Sequence, residues 1–186
     1  MKMKKTLNLI LILSVILLLF TCNFAYAYNT FNGHILTGGI NDKPYYNGAT
    51  GYWKTPYNNS FNNWYNTSTS FYFYETTNIS DARIECYSYS NLYDGLNGYT
   101  ELYVPGIGLT QNSPTDNWAW ARVHINTASL ASTSADFDNG VAGHEIGHAI
   151  GLAHNFGDDV LMNTHAGGRT VTKPQQDDID GVNSLY

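Results

Sequence analysis

Apolar and polar residues follow two rhythms along this chain. Ser70–Tyr74, Ala82–Ser88, Tyr99–Val104 and Ala119–Ile125 alternate or cluster aromatic and β-branched residues, the composition of strands. Asp94-Gly95 and Asn97-Gly98 mark turns between the second and third of them. At helical spacing, Phe61, Trp64 and Tyr65 predict a short amphipathic helix over 59–65, lying on the sheet. Ala142, Ile146, Ala149 and Ile150 form the buried side of a longer helix, with Asp138 or Asn139 as its cap. Ile179, Val182 and Leu185 give a third, terminal helix over 174–186, its acidic residues near the start where the helix dipole favours them. Residues 28–58, rich in Gly, Asn and Tyr, predict only edge segments and turns. Four or more strands combined with these helices imply an α+β layered fold. The many tyrosines pack against one another and against the helices, with an aromatic carbohydrate-binding face as the alternative.

The first 27 residues change the picture of where the fold begins. Lys2, Lys4 and Lys5 precede an apolar run from Leu7 to Phe20, and Ala25-Tyr26-Ala27 supplies an A-x-A cleavage signal, so residues 1–27 read as a secretory signal peptide cut after Ala27. The run is shorter than the roughly 20 residues that span a bilayer, so no stable membrane anchor is expected. Lipidation through Cys22 is the weaker alternative, because Thr21 stands where a small residue belongs. Removing 27 of the 186 residues leaves 159, the size of one domain, 28–186, expected as a monomer. Three of the nine basic residues leave with the signal, so the remainder carries six basic against fifteen acidic residues, a formal charge of −9. That balance excludes a nucleic-acid partner. Cys86 alone remains, so no internal disulfide staples the exported chain.

The chemistry concentrates in His144-Glu145-Ile146-Gly147-His148-Ala149-Ile150-Gly151-Leu152-Ala153-His154, which spells HExxHxxGxxH. On a helix His144 and His148 share one face a turn apart and can offer two imidazoles to one cation. Glu145 is rotated by about a hundred degrees and is placed to flank the metal as a general base. Gly151 can adopt positive φ, ending the helix so that His154 approaches from another direction. Three neutral imidazoles leave a fourth zinc position open for water, the signature of a catalytic site.

This wording resembles the matrixin branch of the metzincin zinc metallopeptidases. The resemblance implies a twisted mixed sheet with packed helices, an active-site helix and a C-terminal helix. It implies a secreted zinc-dependent endopeptidase that hydrolyses peptide bonds of extracellular proteins through a zinc-bound water activated by Glu145, with the substrate laid antiparallel to an edge strand. A non-catalytic zinc-fold module for binding or adhesion is the rival, and the intact Glu145 argues against it. Met162, eight residues past His154, falls where the family places its Met-turn under the imidazoles. Residues 163–172 then form the outer wall of the specificity pocket, although His165, two glycines and Arg169 replace the usual Pro-Tyr pattern. The ending QDDIDGxxxLY is similar to the family's C-terminal helix. By position Asp177 and Asp178 take the roles of bracing the Met-turn and pairing with the mature N-terminal ammonium. His124-Ile125-Asn126 matches only partly the HFD of a strand that contributes to a structural zinc and calcium site, since the aspartate is replaced. His124 is therefore expected to make an ordinary hydrogen bond. Calcium or a second zinc is left without assigned ligands, although Asp94, Asp116, Asp136 and Asp138 lie in loops. His34 is read as an ordinary polar side chain. Within these residues there is no PRCGxPD cysteine switch, and Cys86 lacks its neighbours.

Overall fold

A computed structural model describes residues 28–186 apart from 32, 36–41, 71, 111–115, 158 and 165–168. Residues 1–27, expected from the sequence to be a signal peptide and including Cys22, and also His165, lie outside the described residues. Six strands, β1 (Asp42–Asn47), β2 (Tyr72–Glu75), β3 (Ile84–Tyr89), β4 (Gly98–Val104), β5 (Gly108–Thr110) and β6 (Trp120–Asn126), form one sheet in the order β2-β1-β3-β6-β4-β5. The first four in that order run parallel, and β4 is antiparallel to both β6 and β5. The helices are α1 (Lys54–Tyr65), α2 (Ala135–Ala149) and α3 (Gln176–Leu185).

Strict alternation on β6 shows how the core is built. Ala121, Val123 and Ile125 are fully buried, while Trp120, Arg122 and His124 are partly exposed on the opposite face. α2 packs across β6 and β4, and α1 packs against α2. α1 contains four asparagines and has no side-chain cap, so its intrinsic propensity is poor; burial of Tyr57, Phe61 and Trp64 supplies what propensity lacks. Pro56 lies in its first turn, where a backbone N–H has no helical partner to lose. Trp64 Nε1 donates to Gly143 O (3.0 Å) and Ser60 Oγ to Asn139 O (2.7 Å), fixing α1 to α2.

Three sequence expectations need correction. The helix expected over 59–65 begins five residues earlier, at Lys54, because packing overrides the polar run before Phe61. Residues 28–58 contain a full strand, β1, whose Lys43 and Pro44 hide any alternation but which pairs with β2 on one side and β3 on the other. The cap of α2 is neither Asp138 nor Asn139: the helix starts at Ala135, and Ser134 accepts from Phe137 N–H (3.2 Å). Asp138 is instead buried, accepting from Tyr52 Oη (2.7 Å) and Thr133 Oγ1. The expected inner side of α2, Ala142, Ile146, Ala149 and Ile150, is fully buried.

Candidate active site

The geometry of α2 and the turn after it delivers the three histidines to one point. His144 and His148 lie one helical turn apart, their ring centroids 4.7 Å from each other. The helix ends at Ile150, and Gly151, at φ +111°, turns the chain back as its position predicted. His154 then closes the set, its ring centroid 4.7 Å from that of His148 and 5.2 Å from that of His144. One nitrogen from each histidine lies within 4.8 Å of the others, and no other such group of His, Cys, Asp or Glu occurs among the described residues.

The residues present fit a zinc ion. His144 Nδ1 faces Leu161 O (2.9 Å) and His148 Nδ1 faces Leu152 O (2.8 Å). A carbonyl only accepts, so each Nδ1 carries the proton and each Nε2 presents a lone pair. His148 Nε2 and His154 Nε2 are 3.1 Å apart, close to the tetrahedral edge of about 3.3 Å that zinc–nitrogen bonds require. Burial pushes the His144 imidazolium well below its ordinary range and pulls His148 down to about 3, with neighbouring histidine charge adding to the effect. His154 is lowered in the same direction, chiefly by burial. The rings are therefore neutral at pH 7, the form that binds metal.

Glu145 lines a cleft of about 600 Å³ together with His148 and His154, and with Phe31, Leu96, Tyr99 and Leu102 among others. Its carboxylate is buried, and desolvation raises its pKa to about 7, opposed by a hydrogen bond from Thr100 and the charge of Arg169. Thr100 Oγ1 lies 2.9 Å from both Glu145 Oε2 and Glu145 O. β5 pairs only with Leu102–Val104, so among the described residues the outer edge of Gly98–Glu101 has no strand partner, and it runs beside the cleft.

Met162 packs against α2 at Gly147, between the two helical histidines. A β-carbon on Gly147 would overlap its sulfur, so the glycine between the two helical histidines is what lets the methionine sit there. The turn that carries Met162 is held from below. Asp178, 2 % exposed, accepts from Leu161 N–H (2.9 Å), Met162 N–H (3.2 Å) and Gln175 N–H (2.8 Å). Leu161 in turn offers its carbonyl to His144, so a single peptide unit links the α3 carboxylate to an imidazole. Asp177 accepts from Asn155 Nδ2, next to His154. Arg169 Nη1 donates to Leu161 O as well, and Nη2 to Asn163 O (3.3 Å).

The other sequence candidates fall elsewhere. His34 packs edge-on against Tyr186 (5.4 Å). His124 Nε2 is 3.2 Å from Glu101 Oε2 and its ring stacks on Tyr99 (4.4 Å), the ordinary polar role expected of it. Where the resemblance raised a calcium ligand, Asn126 Nδ2 donates to Asn91 O (2.6 Å), Asp94 Oδ1 (3.1 Å) and Leu96 O (3.0 Å), so an amide occupies the point on which these oxygens converge. Sequence reasoning missed Thr100 and Phe31. Both reach the site through contacts between residues far apart in the chain, and neither belongs to a motif.

Comparison with known proteins agrees with this architecture. Residues 49–186 match the family model described as matrixin. The metalloendoproteinase 2-MMP of Arabidopsis thaliana is 28 % identical over 141 residues, 72 % of this chain and 36 % of that protein. The metalloendoproteinase 5-MMP of the same plant is 31 % identical over 83 residues, 44 % of this chain and 23 % of that protein. The interstitial collagenase of Bos taurus is 30 % identical over 95 residues, 50 % of this chain and 19 % of that protein. Fold and site define a metzincin-type domain with a three-histidine centre that fits zinc. The chain belongs to the matrixin family. It spans between about a fifth and about a third of the length of these relatives. No helix among the described residues is long and apolar enough to cross a membrane.

Proposed function

We propose that residues 28–186 act as a monomeric, secreted zinc endopeptidase, exported by residues 1–27 as a signal peptide, with His144, His148 and His154 as zinc ligands and Glu145 as the general base. The observation that carries this reading is the convergence of three neutral imidazoles, two of them oriented by carbonyls, beside a buried carboxylate in an open cleft. Family membership supports it.

Bound zinc supplies a Lewis acid for the scissile carbonyl and the attacking water. The chain does the rest. The outer edge of Gly98–Glu101 takes an extended peptide as an added strand, so main-chain hydrogen bonds position the bond to be cut. Thr100 fixes Glu145 Oε2, which leaves Oε1 to accept the proton of the attacking water. The same carboxyl then delivers that proton to the departing amine nitrogen. A Glu145 pKa near 7 suits both halves of the exchange at neutral pH. Met162 packs under the imidazoles as the Met-turn, Asp178 braces that turn, and Asp177 secures the segment that follows the third ligand.

The test is casein hydrolysis by the purified protein, with and without a chelator, beside Glu145→Gln. Chelation should abolish cleavage and zinc should restore it, while Glu145→Gln should keep one zinc per chain and lose at least a hundredfold in kcat. Zinc binding without any hydrolysis by the wild-type protein would instead favour a binding or adhesion module.

A further inference from the structure

The family match begins at residue 49, yet one wall of the cleft comes from before it. Phe31 belongs to a short strap that crosses the turn between the second and third histidines. Phe31 N–H donates to Gly151 O (2.8 Å), Ala153 N–H donates to Asn29 O (2.9 Å), and Asn29 Nδ2 donates to His154 O (2.9 Å). Thr30 and Leu152 face each other as an antiparallel bridge. These bonds set the Phe31 backbone in register with the ligand-bearing turn. Its ring is delivered against His148, stacked at 5.6 Å and 26°, with the edge contact of Trp118 at 6.2 Å fixing it from one side.

Phe31 thus joins Leu96, Tyr99, Leu102 and Ala153 as the apolar part of a cleft whose polar part is Glu145, His148 and His154. A pocket with an aromatic wall held rigidly beside the reacting groups gains most from a large flat apolar side chain, which buries area against both rings. We propose that Phe31 is a specificity-determining residue, forming the wall of a subsite for a bulky apolar or aromatic side chain of the peptide close to the bond that is cut. This rests on the peptidase reading above for the identity of the ligand as a peptide.

The experiment uses zinc-loaded Glu145→Gln protein, which binds peptide without turnover, and otherwise identical peptides carrying Ala, Leu, Phe or Trp at successive positions of one sequence. Affinity is read by fluorescence polarisation. At one position the Phe peptide should bind at least about tenfold more tightly than the Ala peptide, and adding Phe31→Ala should collapse that ratio towards one. Phe31→Trp, which narrows the same space, should move the optimum to Leu. Zinc content and melting temperature identify any variant that fails to fold, and Phe31→Leu, which keeps an apolar contact on Trp118, then replaces Phe31→Ala in the comparison. A Phe-to-Ala ratio that survives both Phe31→Leu and Phe31→Trp overturns the proposal, as does a uniform loss for every peptide. Cleavage of the same peptides by protein with Glu145 intact separates the two readings. Selective binding without hydrolysis sinks the peptidase and leaves the subsite, whereas hydrolysis with an unaltered preference in the Phe31 variants does the reverse.

Discussion

Glu145 is the residue on which burial and hydrogen bonding pull in opposite directions. Desolvation raises its carboxyl to about 7, and the Thr100 hydroxyl, by bonding the charged form, holds it from rising further. Thr100→Val removes that bond with little change in shape. With Glu145 in its proposed role as general base, the acid limb of kcat/KM should then move to higher pH, because that base must be ionised to act and now ionises later. If the shift is about one unit, the rate at pH 6 falls about tenfold. A pH profile whose acid limb stays in place would show that Thr100 only packs against the helix. HExxH is readable from spacing within one turn of helix. Thr100 is not, since it meets Glu145 across 45 positions of sequence and only the placement of α2 on β4 brings them together.

Among elements, the link between α3 and the Met162 turn carries the most weight. Asp178 satisfies two N–H groups of that turn and the N–H of Gln175 at the start of its own helix, all from one buried carboxylate. Asp178→Asn keeps the volume but replaces an acceptor oxygen by a donor NH₂ facing N–H groups. It should cost about 2–4 kcal/mol, read as a lower denaturation midpoint at unchanged m-value. Zinc affinity should fall with it, because the Leu161 carbonyl that orients His144 belongs to the same turn. A variant as stable as the wild type, with unchanged zinc affinity, would remove this brace from the account. The strands and helices show what patterning can reveal. Residues 119–125, alternating cleanly, were legible as β6 to within a residue at each end. β1 was not, because a strand buried on both faces needs no alternation, as the consecutive buried residues Lys43, Pro44 and Tyr45 show, and Lys43 and Pro44 read as loop. α1 was found only in its aromatic half, since packing rather than propensity extends it to Lys54.

For the whole molecule, the buried histidine cluster couples metal, protons and folding. His148 has its pKa pulled to about 3 and His144 lies well below its ordinary value, whereas in the unfolded chain both titrate near about 6.5. The unfolded state therefore binds more protons between those limits. The stabilisation is complete above about pH 6.5 and is lost progressively as pH falls towards about 3. Chelator-treated protein should show a melting temperature that drops through this window. Zinc-loaded protein should start higher at neutral pH and converge on the metal-free curve on acidification, as protons compete for the ligand nitrogens. Calorimetry at pH 7, 6, 5 and 4, with and without chelator, checks this; a metal-free curve flat from 7 to 5 would contradict it.

The sequence by itself determined what depends on neighbours a few positions apart: the helical register of His144, Glu145 and His148, the positive φ at Gly151, the offset of Met162, and the alternation of β6. These are encoded by the 3.6- and 2-residue periods, which are local. Tertiary structure alone decided which distant groups complete the site. The Thr100 hydroxyl on Glu145, the Leu161 carbonyl on His144, the Asn126 amide among the oxygens of Asn91, Asp94 and Leu96, and the Phe31 ring on His148 all join residues separated by 17 or more positions. Their proximity is set by sheet register and by how the helices pack on it, and no short stretch of sequence contains either.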